Sequence, residues 1–196
     1  MLTYSNSKLA NSDQGYLIAV WNLPAGKTCP GAGECKKFCY AQKGNYARFR
    51  LNEKAYAKNL VAAENDDFVP LMQLSIEAGA RKATRQGLKF AVRIHSAGDF
   101  YSPRYFQKWI QLARANPNVI FYAYTKSAFA WRAKNLPENM IIIQSEGSLY
   151  DGLIDESRPH AKIFDSAEAL LAAGYVDASK NDIVATKNIK IGLVKH

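Results

Sequence analysis

Short apolar runs recur along the chain, and between them the apolar positions spread out to a helical spacing. Residues 16–21, YLIAVW, read as a strand stopped by Pro24 and Gly26, and a Gly-containing loop follows over about 28–44. Over 47–64, Phe49, Ala55, Tyr56, Leu60 and Ala63 fall roughly on one stripe, which predicts a helix. A second helix is expected from about 67 to 85, with Asp66 or Asp67 as its cap and Gly87 as its stop. LKFAVRI at 88–94 reads as a strand and HSAGDFYS as the loop behind it; Ser102, with Pro103 at the first position, then opens a helix to about Ala115. VIFYAY at 119–124 is a strand, followed by TKS and a short helix around 128–134. MIIIQ at 140–144 and AKIF at 161–164 continue the series, and Asp165 or Ser166 caps a helix to about Ala173. The tail, IVATKNIKIGLVK, holds one or two more strands.

This alternation predicts an α/β fold with a mostly parallel sheet and crossover helices, in one domain spanning 1–196. About six strands suit either an open doubly wound sheet or a small or partial parallel (β/α) barrel, TIM-barrel-like in plan. The strand ends favour the barrel. His95, Ser96 and Asp99 follow one strand, Thr125 and Lys126 the next, Ser145 and Glu146 a third, and Asp165 and Ser166 a fourth. Polar groups converge in this way at the C-terminal mouth of parallel barrels.

Composition narrows the classes. At 48% hydrophobic and 12% aromatic the chain has material for a core, and no apolar run approaches the ~20 residues of a membrane span. The N-terminal stretch lacks a basic region followed by an apolar one, so a cytoplasmic protein is expected. The net charge of +9 is spread along the chain without a basic run. It fits a solvated helix surface, and equally a nucleic-acid partner.

The three cysteines, Cys29, Cys35 and Cys39, lie in TCPGAGECKKFCYAQKGN as C-x5-C-x3-C. An odd cluster is a poor disulfide framework, and clustered thiols in a reducing compartment point to metal. Three soft ligands from one loop suit a [4Fe–4S] cluster with its fourth iron open. A structural zinc wants four closed ligands, which would require His95 or His160 to complete a Cys3His site. Around the loop, Asp99, Lys126 and Glu146 are candidate catalytic groups, while His95, Ser96 and Tyr40 are candidate cofactor contacts. Asn6 and Lys8 are placed to fold across the mouth. Tyr105, Phe106 and Trp109 sit at helical spacings that suit a core rather than a stacking surface for bases. There is no Walker loop, G-x-S-x-G or H-E-x-x-H.

Two resemblances follow from these motifs. A cysteine loop after the first strand of a partial barrel, with Tyr40 beside the last cysteine, resembles radical S-adenosylmethionine enzymes, which implies that cofactor as a ligand of the open iron. The spacing departs from their C-x3-C-x2-C, and Ser96-Ala97-Gly98-Asp99 stands where they carry Gly-Gly-Glu. More extensively, the chain resembles the gene product eighty-eight type family of bacteriophage proteins. The matching stretches are Asn6-Ser7-Lys8-Leu9, Leu23-Pro24-Ala25-Gly26, Thr28-Cys29-Pro30-Gly31-Ala32, Cys39-Tyr40-Ala41, Arg93-Ile94-His95, Gly98-Asp99-Phe100 and Tyr122-Ala123-Tyr124-Thr125-Lys126. That resemblance implies a phage origin and supports the metal loop, without implying a reaction.

Two functions are thus expected as alternatives. One is redox or radical chemistry on a small molecule, fed by an electron donor such as a ferredoxin or flavodoxin. The other is a basic nucleic-acid-binding or host-takeover protein in which the metal is structural.

Overall fold

The computed structural model describes residues 2–4, 15–39, 41 and 51–195. Among them, seven strands form one parallel sheet in the order β1-β2-β3-β4-β5-β7-β6. They are β1 (Tyr16–Trp21), β2 (Lys89–Ile94), β3 (Ile120–Thr125), β4 (Met140–Ser145), β5 (His160–Phe164), β6 (Val176–Asp177) and β7 (Lys190–Val194). Helices α1 (Leu51–Glu64) and α2 (Phe68–Arg85) join β1 to β2, and α3 (Pro103–Ala115) joins β2 to β3. The shorter α4 (Ala128–Trp131) and α5 (Ala167–Ala172) follow β3 and β5.

This order explains the shape. From β1 to β5 each strand is added on the same side of the last, and right-handed crossovers then put every helix on one face. With one face covered by helices, the twisted sheet curls away from them into a half-barrel. A doubly wound sheet would need the order to reverse in mid-sheet, and here it reverses only at the last pair. At the other edge, Thr3 makes two antiparallel backbone hydrogen bonds to Val20, 2.9 and 2.8 Å long, which blunt the outer side of β1.

Two cores result. On the convex side α2 buries Phe68, Met72, Ile76, Gly79 and Ala83, spaced at three and four residues. The Phe68 ring meets those of Trp21, Trp109 and Tyr105 at centroid distances of 5.5, 5.6 and 5.8 Å. The tyrosine and tryptophan expected as core are core. Ser102 caps α3 by accepting from the Tyr105 amide at 3.2 Å, with Pro103 at the first position. On the concave side Tyr16, Ile18, Val20, Ala91, Tyr122, Ile143, Ala161 and Ile191 line the lumen. The segment between β6 and β7 fills it, burying Ala178, Ile183 and Ala185.

Four sequence expectations change or fall away. The start of the first helix, residues 47–50, lies outside the described residues, as do Asn6 and Lys8. β6 was not anticipated, since two residues carry no periodicity. Asp182–Thr186, which overlaps the start of the tail expected to hold one or two strands, is a 3-10 turn facing the lumen. His160, one residue before the strand expected at 161–164, opens β5 with Nδ1 2.9 Å from the Arg158 carbonyl and Nε2 3.1 Å from the Tyr175 hydroxyl. No helix among the described residues is long and apolar enough to cross a membrane.

Packing of α2 on the sheet depends on Gly79, where a Cβ would stand 2.2 Å from the Phe90 ring. Gly79→Ala is expected to destabilise the fold by about 1–3 kcal/mol. Adding Phe90→Leu is expected to recover part of that loss in urea denaturation.

Candidate metal centre

The cysteine loop leaves β1 and crosses the mouth formed by the C-terminal strand ends. Asn22, the first residue beyond β1, ties it to the neighbouring loop: its Oδ1 accepts from the Ser96 and Ala97 amides at 2.7 and 2.9 Å. The Leu23 amide donates back to Ala97 at 2.9 Å. Further along, the Gly33 and Cys35 amides both donate to the Gly147 carbonyl, at 3.0 and 3.2 Å, and Leu149 donates to the Gly31 carbonyl at 2.9 Å. Ser148 Oγ donates at 3.0 Å to each of the Gly31 and Lys126 carbonyls. The loop is thus a strap from β1 to the loops after β3 and β4.

Glycine makes that crossing geometrically feasible. A Cβ on Gly31 would lie 1.9 Å from the Lys126 carbonyl oxygen, and one on Gly33 would lie 2.8 Å from the Ser148 backbone. Both obstacles are main chain and cannot rotate away. The strap therefore lies flat on the mouth, with a 3-10 turn, Glu34–Phe38, carrying Cys35.

All three thiols are half-buried, with no disulfide among them. Burial pushes the Cys29 thiol up to about 11, and Asp99, Cys39 and Cys35 add like charge in the same direction. Cys35 is raised too, chiefly by burial, with Cys39 and Asp99 reinforcing and the Lys126 and Lys36 ammonium groups opposing. The three sulfurs thus lie within electrostatic range of one another above Asp99. Raised thiols are the opposite of activated nucleophiles, which sit in electropositive surroundings that lower the pKa. A bound cation reverses this logic, because a coordinating thiol is deprotonated outright.

Asp99 is buried beneath the strap. Its Oδ1 accepts from the Phe100 amide at 2.7 Å and from Thr125 Oγ1 at 2.5 Å, and its Oδ2 accepts from the Lys126 amide at 2.8 Å. It thereby clamps the loop after β2 to the end of β3. Lys126 Nζ donates to Ser145 Oγ at 2.6 Å, and its Cε lies 3.6 Å from where a Gly147 Cβ would be, on the Cys35 side. Asp99, Lys126 and the thiols are therefore brought together. Glu146 turns aside to Lys162, 3.6 Å away and partly exposed. Ser96 is held at the mouth through its amide. Tyr40 lies outside the described residues.

His95 has φ 68°, an unusual left-handed conformation for a residue other than glycine. Its amide donates to the Trp21 carbonyl at 2.8 Å, and its ring packs edge-on to Phe100 with Nε2 2.9 Å from the Tyr105 hydroxyl. These contacts turn the imidazole toward the helix side. Burial and the Arg93 charge push it down to about 3, so it is neutral at physiological pH. Sequence reasoning gave no role of their own to Asn22, Gly31 and Ser148, because each meets main-chain groups distant in sequence and leaves no compositional trace. It also passed over Arg93, whose place as a charge inside an apolar strand was a usable signal.

Among the described residues, no three His, Cys, Asp or Glu side chains converge closely enough to hold one metal ion. A tetrahedral zinc needs four ligands within about 2.3 Å of one point. A cubane is a larger body whose thiolates stand apart around it. The three thiols lie on one strap, and the chemistry of the donor set, three soft sulfurs, is of the kind that cubane clusters take.

Fold and site together define a class: a parallel half-barrel with a thiol-bearing strap across its mouth. The family model described as Gene product 88 matches residues 1–195, and the chain belongs to that family. It is similar to the Gene 88 protein of Mycobacterium phage L5, 34% identical over 109 residues, covering 53% of this chain and 46% of the relative. The Gene 88 protein of Mycobacterium phage D29 is 31% identical over 109 residues, covering 53% and 45%. The matched stretch thus spans about half the length of either relative. No solved structure gives a significant match.

Burial pushes the Asp99 carboxyl up to about 6, against the pull of its hydrogen bonds and of Lys126. The folded state then holds this proton more tightly than the unfolded chain, whose carboxyl titrates near about 4. The Asp99 contribution to stability is therefore greatest at low pH and declines as pH rises from about 4 to about 6. The stability difference between wild type and Asp99→Asn should fall across that window and level off above it. A difference that does not change with pH would contradict this assignment.

Proposed function

We propose that this protein binds a [4Fe–4S] cluster through Cys29, Cys35 and Cys39 and carries out redox or radical chemistry on a small molecule at the barrel mouth. The observation that carries the reading is the strap itself: three thiols in mutual electrostatic range on a loop tied by backbone hydrogen bonds over the strand ends, with the Lys126 and Lys36 ammonium groups beside Cys35. When bound, the cluster would supply electron transfer, or a Lewis-acidic iron without a protein ligand. S-adenosylmethionine is a candidate ligand of that iron, and an electron donor of the ferredoxin or flavodoxin kind is the partner that such chemistry implies.

The chain's own residues have separable parts in this scheme. The cysteines hold the cluster, and Asp99 fixes the two loops against which their strap rests. Lys126, its ammonium held on Ser145 at the mouth, binds an anionic part of the substrate as a point charge. Glu146, paired with Lys162, lies at the rim, where the approach of a substrate releases it. The filled lumen keeps water away from the underside of the mouth.

Anaerobic purification should yield about four irons and four sulfides per chain, with a broad absorption near 400 nm that bleaches on reduction. Cys35→Ala should lower the iron content severalfold while the far-ultraviolet circular dichroism stays that of an α/β protein. One zinc per chain and no sulfide would sink the cluster reading.

The net charge of +9 favours a second reading, a nucleic-acid-binding or host-takeover protein with a structural metal. It requires affinity for DNA or RNA that falls steeply with salt, losing about one unit of slope for each contact lysine removed. Weak binding that is indifferent to salt would reject it.

A further inference from the structure

The lumen beneath the strap contains a group of side chains that the mouth chemistry does not use. Arg93, on β2, is buried, and its Nη1 lies 2.8 Å from Asp182 Oδ2. Asp182 is fully buried, and the same oxygen accepts from the Tyr122 hydroxyl at 2.7 Å. The Arg93 guanidinium lies over the Tyr124 ring, 5.0 Å from its centroid. The Tyr124 hydroxyl is buried and has no hydrogen-bond partner among the described residues. Burial raises its pKa, and the Asp182 charge, which lies within electrostatic range, adds to the rise.

Arg93, Tyr122 and Tyr124 belong to adjacent strands of the barrel wall, whereas Asp182 arrives on the 3-10 turn between β6 and β7. Arg93 and Tyr122 thus meet the Asp182 carboxylate directly, and the Tyr124 phenol lies within electrostatic range of it. An Arg fork with flanking hydroxyl donors is a common way to recognise a carboxylate, and Arg suits a buried pair better than Lys does. A buried ion pair contributes little net stability compared with apolar packing of the same volume, so stability alone does not account for it. An unused phenol beside the pair is a donor that the Asp182 side chain does not satisfy.

We propose that Arg93, Tyr122 and Tyr124 form a carboxylate-binding site on the inner face of the half-barrel, and that Asp182 fills it in cis as a displaceable plug. The ligand is a small molecule bearing a carboxylate. Arg93 lies two residues before His95, and Tyr124 two before Lys126, so the site is about 7 Å below the mouth. A ligand anchored there points its remainder up at the thiols. Its role as substrate anchor rests on the cluster reading above, but the site itself does not, and it is testable without metal.

Asp182→Ala removes the plug's carboxylate and leaves the Arg93 site vacant. Formate or acetate is expected to raise the melting temperature of this variant by about 4 °C at ten times the dissociation constant, relative to chloride at equal ionic strength. Wild type and the Arg93→Met/Asp182→Ala double variant should show no such rise. Asp182→Ser, whose shorter side chain also lacks the carboxylate, serves as the vacant-site variant if the alanine protein does not fold. In wild-type protein, amides of 182–186 should exchange faster than those of β3, and faster again with acetate present. Exchange as slow as that of β3 and unaffected by acetate, or a vacant-site variant no more responsive to carboxylates than the double variant, would overturn the proposal. Either result can be read whether or not iron is found, so failure here is distinct from failure of the cluster.

Discussion

The Asp99 carboxylate is the constraint on which the mouth depends. By accepting from Phe100, Thr125 and Lys126 it draws the loop after β2 onto the end of β3, and so sets the height of the Lys126 carbonyl. Gly31 lies against that carbonyl, and the rest of the strap continues to Gly147 and Ser148. Moving the Asp99 contacts would move the platform that carries Cys35. A single buried acid at the end of β2 thus governs the placement of thiols that lie sixty and more residues earlier in the chain. Its three hydrogen bonds offset part of the cost of burying a carboxylate, and that cost still shows in its raised pKa.

The half-barrel is closed from two directions. Above, the strap covers the strand ends; below, the segment between β6 and β7 fills the lumen with Ala178, Ile183 and Ala185 around the Arg93–Asp182 pair. Many parallel barrels fill their interiors with side chains from the strands alone. With seven strands and an open side, this one recruits a later part of the chain for the same purpose.

The convex face has a different logic. Its aromatic group, Trp21, Phe68, Tyr105 and Trp109, ties β1 to α2 and α3, and His95 joins it through the Tyr105 hydroxyl. A left-handed, neutral histidine at the end of β2 therefore links the helix layer to the loop that carries Asp99. The convex core and the mouth are joined in this way by contiguous packed groups.

How much of this was legible beforehand follows from the range of the interactions involved. The strand–helix alternation, the Ser102 cap, the stop of α2 at Gly87 and the cysteine cluster are local, set by periodicity and by residues a few positions apart. They were readable, and with the polar strand ends they sufficed for a partial parallel barrel. Two-residue β6 and the turn at Asp182 were not readable, because neither has a period and Asp182 takes its place from Arg93, distant in sequence. Likewise Asp99 and Lys126 could be picked out as polar groups at strand ends, but not as clamp and platform, since those roles lie in backbone contacts. The sequence by itself determined the main strands and helices in their order, and that three thiols lie in one loop after the first strand. Only the tertiary structure decided that the strap crosses to β4, that Glu146 pairs away from it, and that the lumen is plugged. Local propensity acts within a few residues, whereas those three outcomes depend on groups that meet only when the sheet has curled.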